Sequence, residues 1–216
     1  MIRIATGGMS WILGSFTFVF FFLIISFFTT GSLLMFFLVL SFLFFIISSL
    51  LVIFFRDPDR TIGSGVVAVA DGRIREILSL KDPDIGDCIR VSTFMNIYNV
   101  HVNRMPFNGT IERVTHHPGG HLPAFQKDSE ANERVVLLIQ TDIGMMKIVQ
   151  IAGTIARRIV PYVKVTDRLL KGGKIGLIRL GSRVDVYLPT NRINAPLIQV
   201  HDRIKAGEDT IAETHD

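Results

Sequence analysis

The chain has 216 residues, of which 49% are apolar, and 23 basic against 19 acidic side chains give it a formal net charge of +4. Its mean hydropathy of +0.42 excludes a disordered chain and an ordinary soluble domain, because both are more polar. The apolar residues are concentrated near the N-terminus. Of the 17 phenylalanines, 14 lie between Phe16 and Phe55, and no charged residue occurs from Trp11 to Phe55. The sequence therefore predicts two domains, a hydrophobic segment over residues 1–55 and a domain of ordinary size over residues 56–216.

The uncharged segment is long enough for two membrane-spanning helices, because about 20 apolar residues in a helix cross a bilayer core of about 30 Å. Residues 29–32 (Thr-Thr-Gly-Ser) interrupt the run with turn-forming side chains. We expect spans near residues 11–28 and 33–55, joined by a very short loop. A cleaved signal peptide is the alternative, but the run is too long for one and no small-residue cleavage site stands out.

Such a hairpin brings both of its ends to one side of the membrane. Positively charged residues close to membrane spans tend to remain in the cytoplasm. Five arginines flank the two predicted spans: Arg3, Arg56, Arg60, Arg73 and Arg75. We therefore expect the protein in the cell (inner) membrane, with residues 56–216 on the cytoplasmic side. The single Cys88 excludes an intrachain disulfide, which agrees with a reducing compartment.

The second domain is predicted to be mainly β (α+β). Short apolar runs separated by Gly, Pro, Asp and Asn are typical of strands in a turn-rich fold. These runs cover residues 66–70, 88–91, 135–140, 147–151, 158–165, 175–180 and 184–188. Residues 116–132 show no periodicity and are predicted to form a long loop.

The C-terminal third contains a repeat with the pattern V-x-D-R-[LI]-x-x-G. A shift of 35 residues aligns residues 165–172 with residues 200–207. The pattern predicts a strand followed by two turns, and hairpin repeats of this kind build half-barrel sandwiches, as in biotinyl and lipoyl carrier domains. Two ordinary hairpins with similar turns are the alternative.

Three residues could form a nucleophilic site. Ser182 follows Gly181 between two apolar runs, where a Gly-Ser pair usually forms a hairpin turn. A serine hydroxyl becomes a good nucleophile only beside a base. The chain offers Asp71 in the segment VADGR and His101 in the segment NVHVNRMP. The order Asp, His, Ser occurs in one known triad arrangement, but chain order alone is weak evidence.

Taken together, these segments resemble phosphatidylserine decarboxylase in its short, membrane-anchored bacterial and archaeal form. The resemblance covers nearly the whole chain and includes the apolar hairpin. Its ordered motifs are FFRDP at 54–58, VADGR at 69–73, NVHVNRMP at 99–106, NER at 132–134, VQIAG at 149–153 with ARR at 156–158, and LGSR at 180–183 before VDVY.

The resemblance implies a pyruvoyl-dependent lyase made as a proenzyme. The chain would cut itself between Gly181 and Ser182 into a beta chain (residues 1–181) and an alpha chain (residues 182–216). Ser182 would become a covalent pyruvoyl group, the only cofactor expected. The substrate amine would form a Schiff base with that group, and phosphatidylserine in the membrane would be converted to phosphatidylethanolamine and CO2. The two chains would form a heterodimer, and assembly into a higher oligomer is left open.

The resemblance also assigns roles to single residues. His101 and Asp71 would act with Ser182. Longer family members carry a second His in the motif, where this chain has Arg104; because Arg keeps its proton, it cannot be a base. Either His101 serves in both reactions, or another group drives self-cleavage. Arg104 and Arg134 are candidates for binding the substrate phosphate, with solvent-exposed surface positions as the alternative.

Some partners are not expected. The histidines at 116, 117 and 121 have no carboxylate pattern beside them, so we expect no metal site, and we expect no nucleic-acid partner. Three rival functions remain. A carrier or scaffold domain would need a modifiable lysine, but Lys171 and Lys205 lack its usual sequence context. A serine hydrolase would be expected to have a Gly-x-Ser-x-Gly elbow. A pyruvoyl decarboxylase for a soluble amino acid would not need membrane spans.

Overall fold

The structure is a computed structural model that describes residues 2–120, 132–153, 158–179 and 182–215. The chain divides into two compact units, one of residues 1–59 and the other of residues 60–216.

The first unit is a helical hairpin formed by α1 (Met9–Ser26) and α2 (Gly31–Phe54). Both helices are long and apolar enough to cross a membrane, with mean hydropathies of 2.0 and 2.9. Each begins two residues before its predicted span. Strand β1 (Ile2–Ile4) pairs antiparallel with β2 (Arg56–Pro58), so the two ends of the hairpin are joined by backbone hydrogen bonds. The expected helical hairpin is confirmed.

Small polar side chains line the contact between the two helices. Ser48 Oγ donates a hydrogen bond to Ser15 Oγ over 2.9 Å, and Ser41 Oγ donates to the Val19 carbonyl over 3.0 Å. Small residues let helices approach closely, and paired hydroxyls remove the cost of a polar group in apolar surroundings. Phenylalanines such as Phe42 instead face outward, with 61% of the residue exposed. An apolar outer surface suits a hydrocarbon environment better than water.

The second unit is built from antiparallel strands. Their bounds are β3 (Val66–Val67), β4 (Gly72–Asp82), β5 (Gly86–Met95), β6 (Val102–Arg104), β7 (Gly109–His117), β8 (Arg134–Thr141), β9 (Gly144–Ile151), β10 (Ile159–Pro161), β11 (Arg168–Leu169), β12 (Lys174–Ile178), β13 (Ser182–Pro189), β14 (Arg203–Ile204) and β15 (Thr210–Ala212). The prediction of a mainly β domain behind a helical hairpin is confirmed.

Eight of these strands form one sheet in the order β11-β7-β8-β9-β13-β5-β4-β14. A second sheet has the order β10-β12-β6, and β15 pairs with β3. One face of the large sheet packs into the core. In β8, for example, Val135, Leu137 and Ile139 are buried and alternate with more exposed neighbours, as expected for a strand with one face inward.

The predicted repeat is present in the structure. Strand β11 pairs with β7 in the same register as β14 pairs with β4. Each residue of β14 lies 35 positions after its counterpart in β11, and each paired residue of β4 lies 37 positions before its counterpart in β7. Thr166 and His201, which are 35 residues apart, have the unusual positive φ values of 76° and 81°. Gly172 and Gly207, also 35 apart, have φ values of 81° and 78°. Two unrelated hairpins would not share these features.

Hydrogen bonds repeat in the same way. Ile111 N donates to the Asp167 carbonyl over 2.9 Å, and its counterpart Ile74 N donates to the Asp202 carbonyl over 2.9 Å. We name residues 66–76 with 199–207 the first repeat, and residues 103–113 with 164–172 the second repeat. In this correspondence Asp71 of the first repeat matches Asn108 of the second.

The sequence analysis missed β4 and β7 as strands and placed the start of the long loop wrongly. Neither strand contains a long apolar run, because charged residues interrupt both: Arg73, Arg75 and Glu76 in β4, and Glu112 and Arg113 in β7. His116 and His117 are the last residues of β7 rather than part of a loop. Most of the predicted loop, residues 121–131, lies outside the described residues.

Candidate active site

Ser182 begins β13 and pairs with Met95, the last residue of β5. Its side chain is fully buried, and Oγ has no hydrogen-bond partner within the described part of the chain. Gly181, the other residue of the predicted cleavage site, lies outside the described residues. A buried hydroxyl without a partner is costly, and the few that occur call for an explanation.

His101 lies between a turn and strand β6. Asn99 N donates to the Asn96 carbonyl over 2.9 Å, which closes the turn. The imidazole is fully buried, and its Nδ1 is 2.9 Å from the Asn99 carbonyl oxygen. A carbonyl can only accept a hydrogen bond, so Nδ1 carries a proton. In the neutral ring, the lone pair is therefore on Nε2, which is the nitrogen that can act as a base.

Asp71 is held at the start of β4 by a buried ion pair. Arg60 Nη2 donates to both carboxylate oxygens of Asp71, over 3.0 and 2.8 Å, and Ala206 N donates to Oδ1 over 2.8 Å. The side chains of Arg60 and Asp71 are only 6% and 10% exposed. The next position, 72, has room only for glycine, because a Cβ there would lie 2.2 Å from the Phe94 carbonyl oxygen. The sequence analysis assigned no part in the site to Arg60 or to Asn99.

Asp71 and Ser182 lie toward the same end of the large sheet, whereas His101 precedes β6 of the second sheet, and Ser182 Oγ forms no hydrogen bond with either residue. Arg73, Phe94 and Arg183 form one row across β4, β5 and β13. Because β4 and β13 run in the same direction, Asp71 and Ser182 precede this row on the same side. The His101 carbonyl accepts a hydrogen bond from Ile178 N over 3.4 Å, four residues before Ser182.

A buried pair of amides lies on the Ser182 face of the sheet. Gln150 is opposite Val184, so it points to the same face as Ser182 two residues earlier. Gln150 Nε2 donates to Asn103 Oδ1 over 2.7 Å, and Asn103 Nδ2 lies 3.7 Å from the Met95 sulfur. These amides place polar groups near the site, and neither was singled out from the sequence.

A cavity of about 470 Å³ lies beside Asp71. Four basic and two acidic side chains line it, together with the amides of Asn96 and Asn99. The charged lining residues are Asp71, Arg73, Arg75, Arg203, Lys205 and Asp209. Arg75 also lies over the Phe94 ring, 5.8 Å from its centre. We call this the basic cavity.

The two arginines proposed from the sequence as phosphate ligands lie elsewhere. Arg104 is 6% exposed, and its Nη1 donates to the Gly172 carbonyl over 3.1 Å, within the second repeat. Arg134 lines a different cavity of about 660 Å³ with Lys147 and Tyr187. In that cavity Lys147 forms ion pairs with Asp82 and Asp84; although burial opposes it, this pairing raises the pKa of Lys147.

Comparison with known proteins gives the family. The model of the family described as phosphatidylserine decarboxylase matches residues 47–212. A phosphatidylserine decarboxylase proenzyme of Thermobifida fusca is 49% identical over 156 residues, which are 72% of this chain and 69% of that protein. One from Streptomyces avermitilis is 53% identical over 137 residues, which are 63% of this chain and 62% of that protein. A putative archaetidylserine decarboxylase proenzyme of Methanococcoides burtonii is 47% identical over 163 residues, which are 74% of this chain and 73% of that protein.

These relatives are all named as decarboxylase proenzymes. Within that class, the chain belongs to the phosphatidylserine decarboxylase family.

Proposed function

We propose that this protein converts phosphatidylserine to phosphatidylethanolamine and CO2, and that it does so with a pyruvoyl group made from its own Ser182. Family membership and the names of the relatives support the reaction. The observation that carries the mechanism is the buried Ser182 hydroxyl, which lacks a hydrogen-bond partner among the described residues. A serine nucleophile is activated by a base within hydrogen-bond reach, and Ser182 Oγ, which forms no such bond in this structure, is available to turn toward one when cleavage begins.

Self-cleavage begins when Ser182 Oγ attacks the Gly181 carbonyl carbon. The peptide C–N bond breaks and an ester forms, with the nitrogen of residue 182 becoming a free amine. Loss of the Cα proton and cleavage of the Cβ–O bond then release residues 1–181 with a C-terminal carboxylate. The dehydroalanine left at position 182 takes up water and loses ammonia, which yields the pyruvoyl end of residues 182–216.

We assign the proton transfers to His101. Its Nε2 carries the lone pair of the neutral ring, because the Asn99 carbonyl holds the proton on Nδ1. Asp71 would supply negative charge near the imidazolium as it forms. Arg104 cannot replace a second histidine as a base, since a guanidinium stays protonated.

A pyruvoyl ketone supplies an electron sink that no ordinary side chain offers. The remaining task of the chain is to bind the head group and to return a proton to the carbon that loses CO2. His101 is the residue to which we assign that proton. We propose that the head group enters at the end of the large sheet where β13 begins with Ser182.

A lipid substrate also gives the helical hairpin a role. Phosphatidylserine has a negligible concentration in water, so tethering the enzyme to the bilayer raises its rate of encounter with substrate. We propose that α1 and α2 span the cell membrane, with the catalytic unit on the cytoplasmic side. The arginines that follow α2 support this orientation.

Intact-mass spectrometry of the purified full chain tests the cleavage. We expect two species of about 20 and about 4 kDa, in proportion to the division of a 24.2 kDa chain of 216 residues after position 181. Ser182→Ala should remain a single chain without activity. Ser92→Ala is a matched control, because Ser92 is also buried and its Oγ also lacks a partner among the described residues. An active single chain in the wild type would refute the pyruvoyl mechanism.

The substrate is tested by CO2 release in detergent micelles. We expect turnover of phosphatidylserine and none of free L-serine. Archaetidylserine should be included, because some relatives carry its name. Preference for archaetidylserine would correct the substrate but leave the mechanism in place.

A further inference from the structure

The two repeats share a backbone but differ in charge. The first repeat carries Arg73 and Arg75 where the second repeat has Thr110 and Glu112. It also carries Lys205 where the second has Leu170, whereas Arg203 and Arg168 match. At these four positions the first repeat therefore has four basic residues. The second repeat has one basic residue, one acidic residue and two uncharged residues at the same positions. Because the second repeat folds without this charge, the shared scaffold does not require it.

The basic side chains of the first repeat converge on one place. Arg73 and Arg203 are directly opposite each other in the β4–β14 pairing, so their side chains share a face. All four belong to the lining of the basic cavity. Arg73, Arg75 and Arg203 form no ion pair within the described part of the chain, and Lys205 lies 3.4 Å from Glu208. The lining holds four basic side chains against two carboxylates, and like charges this close repel one another, which an anionic ligand would relieve.

The two carboxylates of the lining do not balance its four basic side chains. The Asp71 carboxylate is paired with Arg60, and Asp209 accepts a hydrogen bond from Lys205 N over 2.7 Å. The cavity volume of about 470 Å³ is in the range of small-ligand sites. Its wall also includes Asn99, whose carbonyl fixes the His101 ring.

We infer that the basic cavity binds the phosphodiester group of the lipid substrate. This inference rests on the proposed function, and it names residues other than Arg104 and Arg134 as the phosphate ligands. Arginine suits this ligand because its guanidinium forms paired hydrogen bonds with phosphate oxygens.

The chemistry of decarboxylation favours the phosphate over the substrate carboxylate as the group bound here. The carboxylate loses its negative charge as CO2 forms, so cations paired with it would stabilise the ground state more than the transition state. The phosphodiester keeps its charge throughout the reaction. Cations that hold the phosphate therefore anchor the substrate without opposing the chemical step.

The test uses the full chain in micelles of neutral detergent, with Arg73→Thr and Lys205→Leu as variants. Both changes introduce the residue that the second repeat carries at the same position, so the backbone accommodates them. Each removes a charge-assisted contact and should raise the KM for phosphatidylserine about tenfold. The value of kcat should change less than threefold, and self-cleavage should be complete. Arg168 is the counterpart of Arg203 in the second repeat, so Arg168→Gln is the control. It should leave both KM and kcat unchanged.

Glycerophosphoserine, which lacks acyl chains, separates a phosphate site from general attraction to an anionic surface. It should inhibit the wild type competitively and inhibit Arg73→Thr about tenfold more weakly, whereas L-serine should inhibit both equally. If the variants leave the KM for phosphatidylserine unchanged, or if glycerophosphoserine inhibits the wild type and Arg73→Thr equally, the inference is wrong. If the wild type is not cleaved or has no decarboxylase activity, the proposed function itself fails.

Discussion

Replacing Asp71 by Asn removes one negative charge while keeping the local turn. The second repeat shows that an Asn fits, because Asn108 Oδ1 accepts a hydrogen bond from Lys171 N over 2.8 Å, just as Asp71 Oδ1 accepts one from Ala206 N. The change therefore affects the ion pair with Arg60 and any effect of the charge on His101, but not the fold of the turn.

The size of the stability loss follows from the burial of the pair. Removing one partner of a buried ion pair typically costs about 3–5 kcal/mol, because the other charge is left uncompensated. Here Arg60 keeps a second partner, since its Nη1 lies 3.2 Å from Glu208. We therefore expect Asp71→Asn to lower the free energy of unfolding by about 2 kcal/mol. For a unit of this size, that corresponds to a fall in Tm of about 4–8 °C.

The expected effect on self-cleavage is smaller than in a serine hydrolase. There, loss of the aspartate costs about 10⁴-fold because the imidazole takes the wrong tautomer. In this protein the Asn99 carbonyl already fixes the tautomer, so only electrostatic support is lost. We expect Asp71→Asn to slow cleavage about 10- to 100-fold.

Two variants separate the structural role of Asp71 from its catalytic role. Arg60→Gln breaks the same ion pair but leaves the carboxylate, so it should lower Tm similarly and slow cleavage much less. Asn108→Asp makes the reverse change at an exposed position and should alter neither. The assay is thermal unfolding together with a gel time course of the two cleavage products. Equal cleavage rates in Asp71→Asn and Arg60→Gln would show that Asp71 acts only through stability.

Three further results are expected. His101→Ala should fail both in self-cleavage and in CO2 release, whereas normal cleavage without turnover would assign the first reaction to another base. The Tm should fall with decreasing pH below about pH 4, measured by differential scanning fluorimetry. A hydrogen bond from Arg113 lowers the pKa of Asp84. Burial alone would raise the pKa of Glu208, but the interactions of Glu208 with Arg60 and Lys205 are stronger, so its pKa is lowered. Carboxylates with lowered pKa values stabilise the fold above their unfolded pKa and lose that effect as pH falls, so an unchanged Tm down to pH 3 would contradict this view. Deleting residues 1–59 should move the protein from the membrane to the soluble fraction after an alkaline wash, and retention there would mean that the hairpin is not the main anchor.

Much of the fold could be predicted because its signals are local. The uncharged run from Trp11 to Phe55 predicts two apolar helices on length alone, and the 35-residue repeat is visible as a pattern of turn residues. Strands β4 and β7 were missed because their exposed faces carry charges. A strand with one polar face shows alternation rather than an apolar run, and the bulges after Ile74 and Ile111 interrupt even that alternation.

The surroundings of the site could not be predicted because they depend on distant pairings. Arg73 and Arg203 are 130 residues apart and become neighbours only where β14 pairs with the start of β4. The same holds for Asp71 and Ala206. No spacing or periodicity in the sequence marks such pairs. Motif resemblance identified Ser182, His101 and Asp71 as candidates but carried no information on what surrounds them.

The repeat explains why comparing the two halves is informative about function. Residues that both repeats share, such as the positive-φ glycines Gly172 and Gly207, are those that the hairpin geometry requires. Residues that differ at equivalent positions are not required by that geometry, since one copy folds without them. Asp71 in place of Asn108, and Arg73 in place of Thr110, both belong to this second group. Both line the basic cavity, so these differences between the repeats converge on the one place where we propose that the substrate phosphate binds.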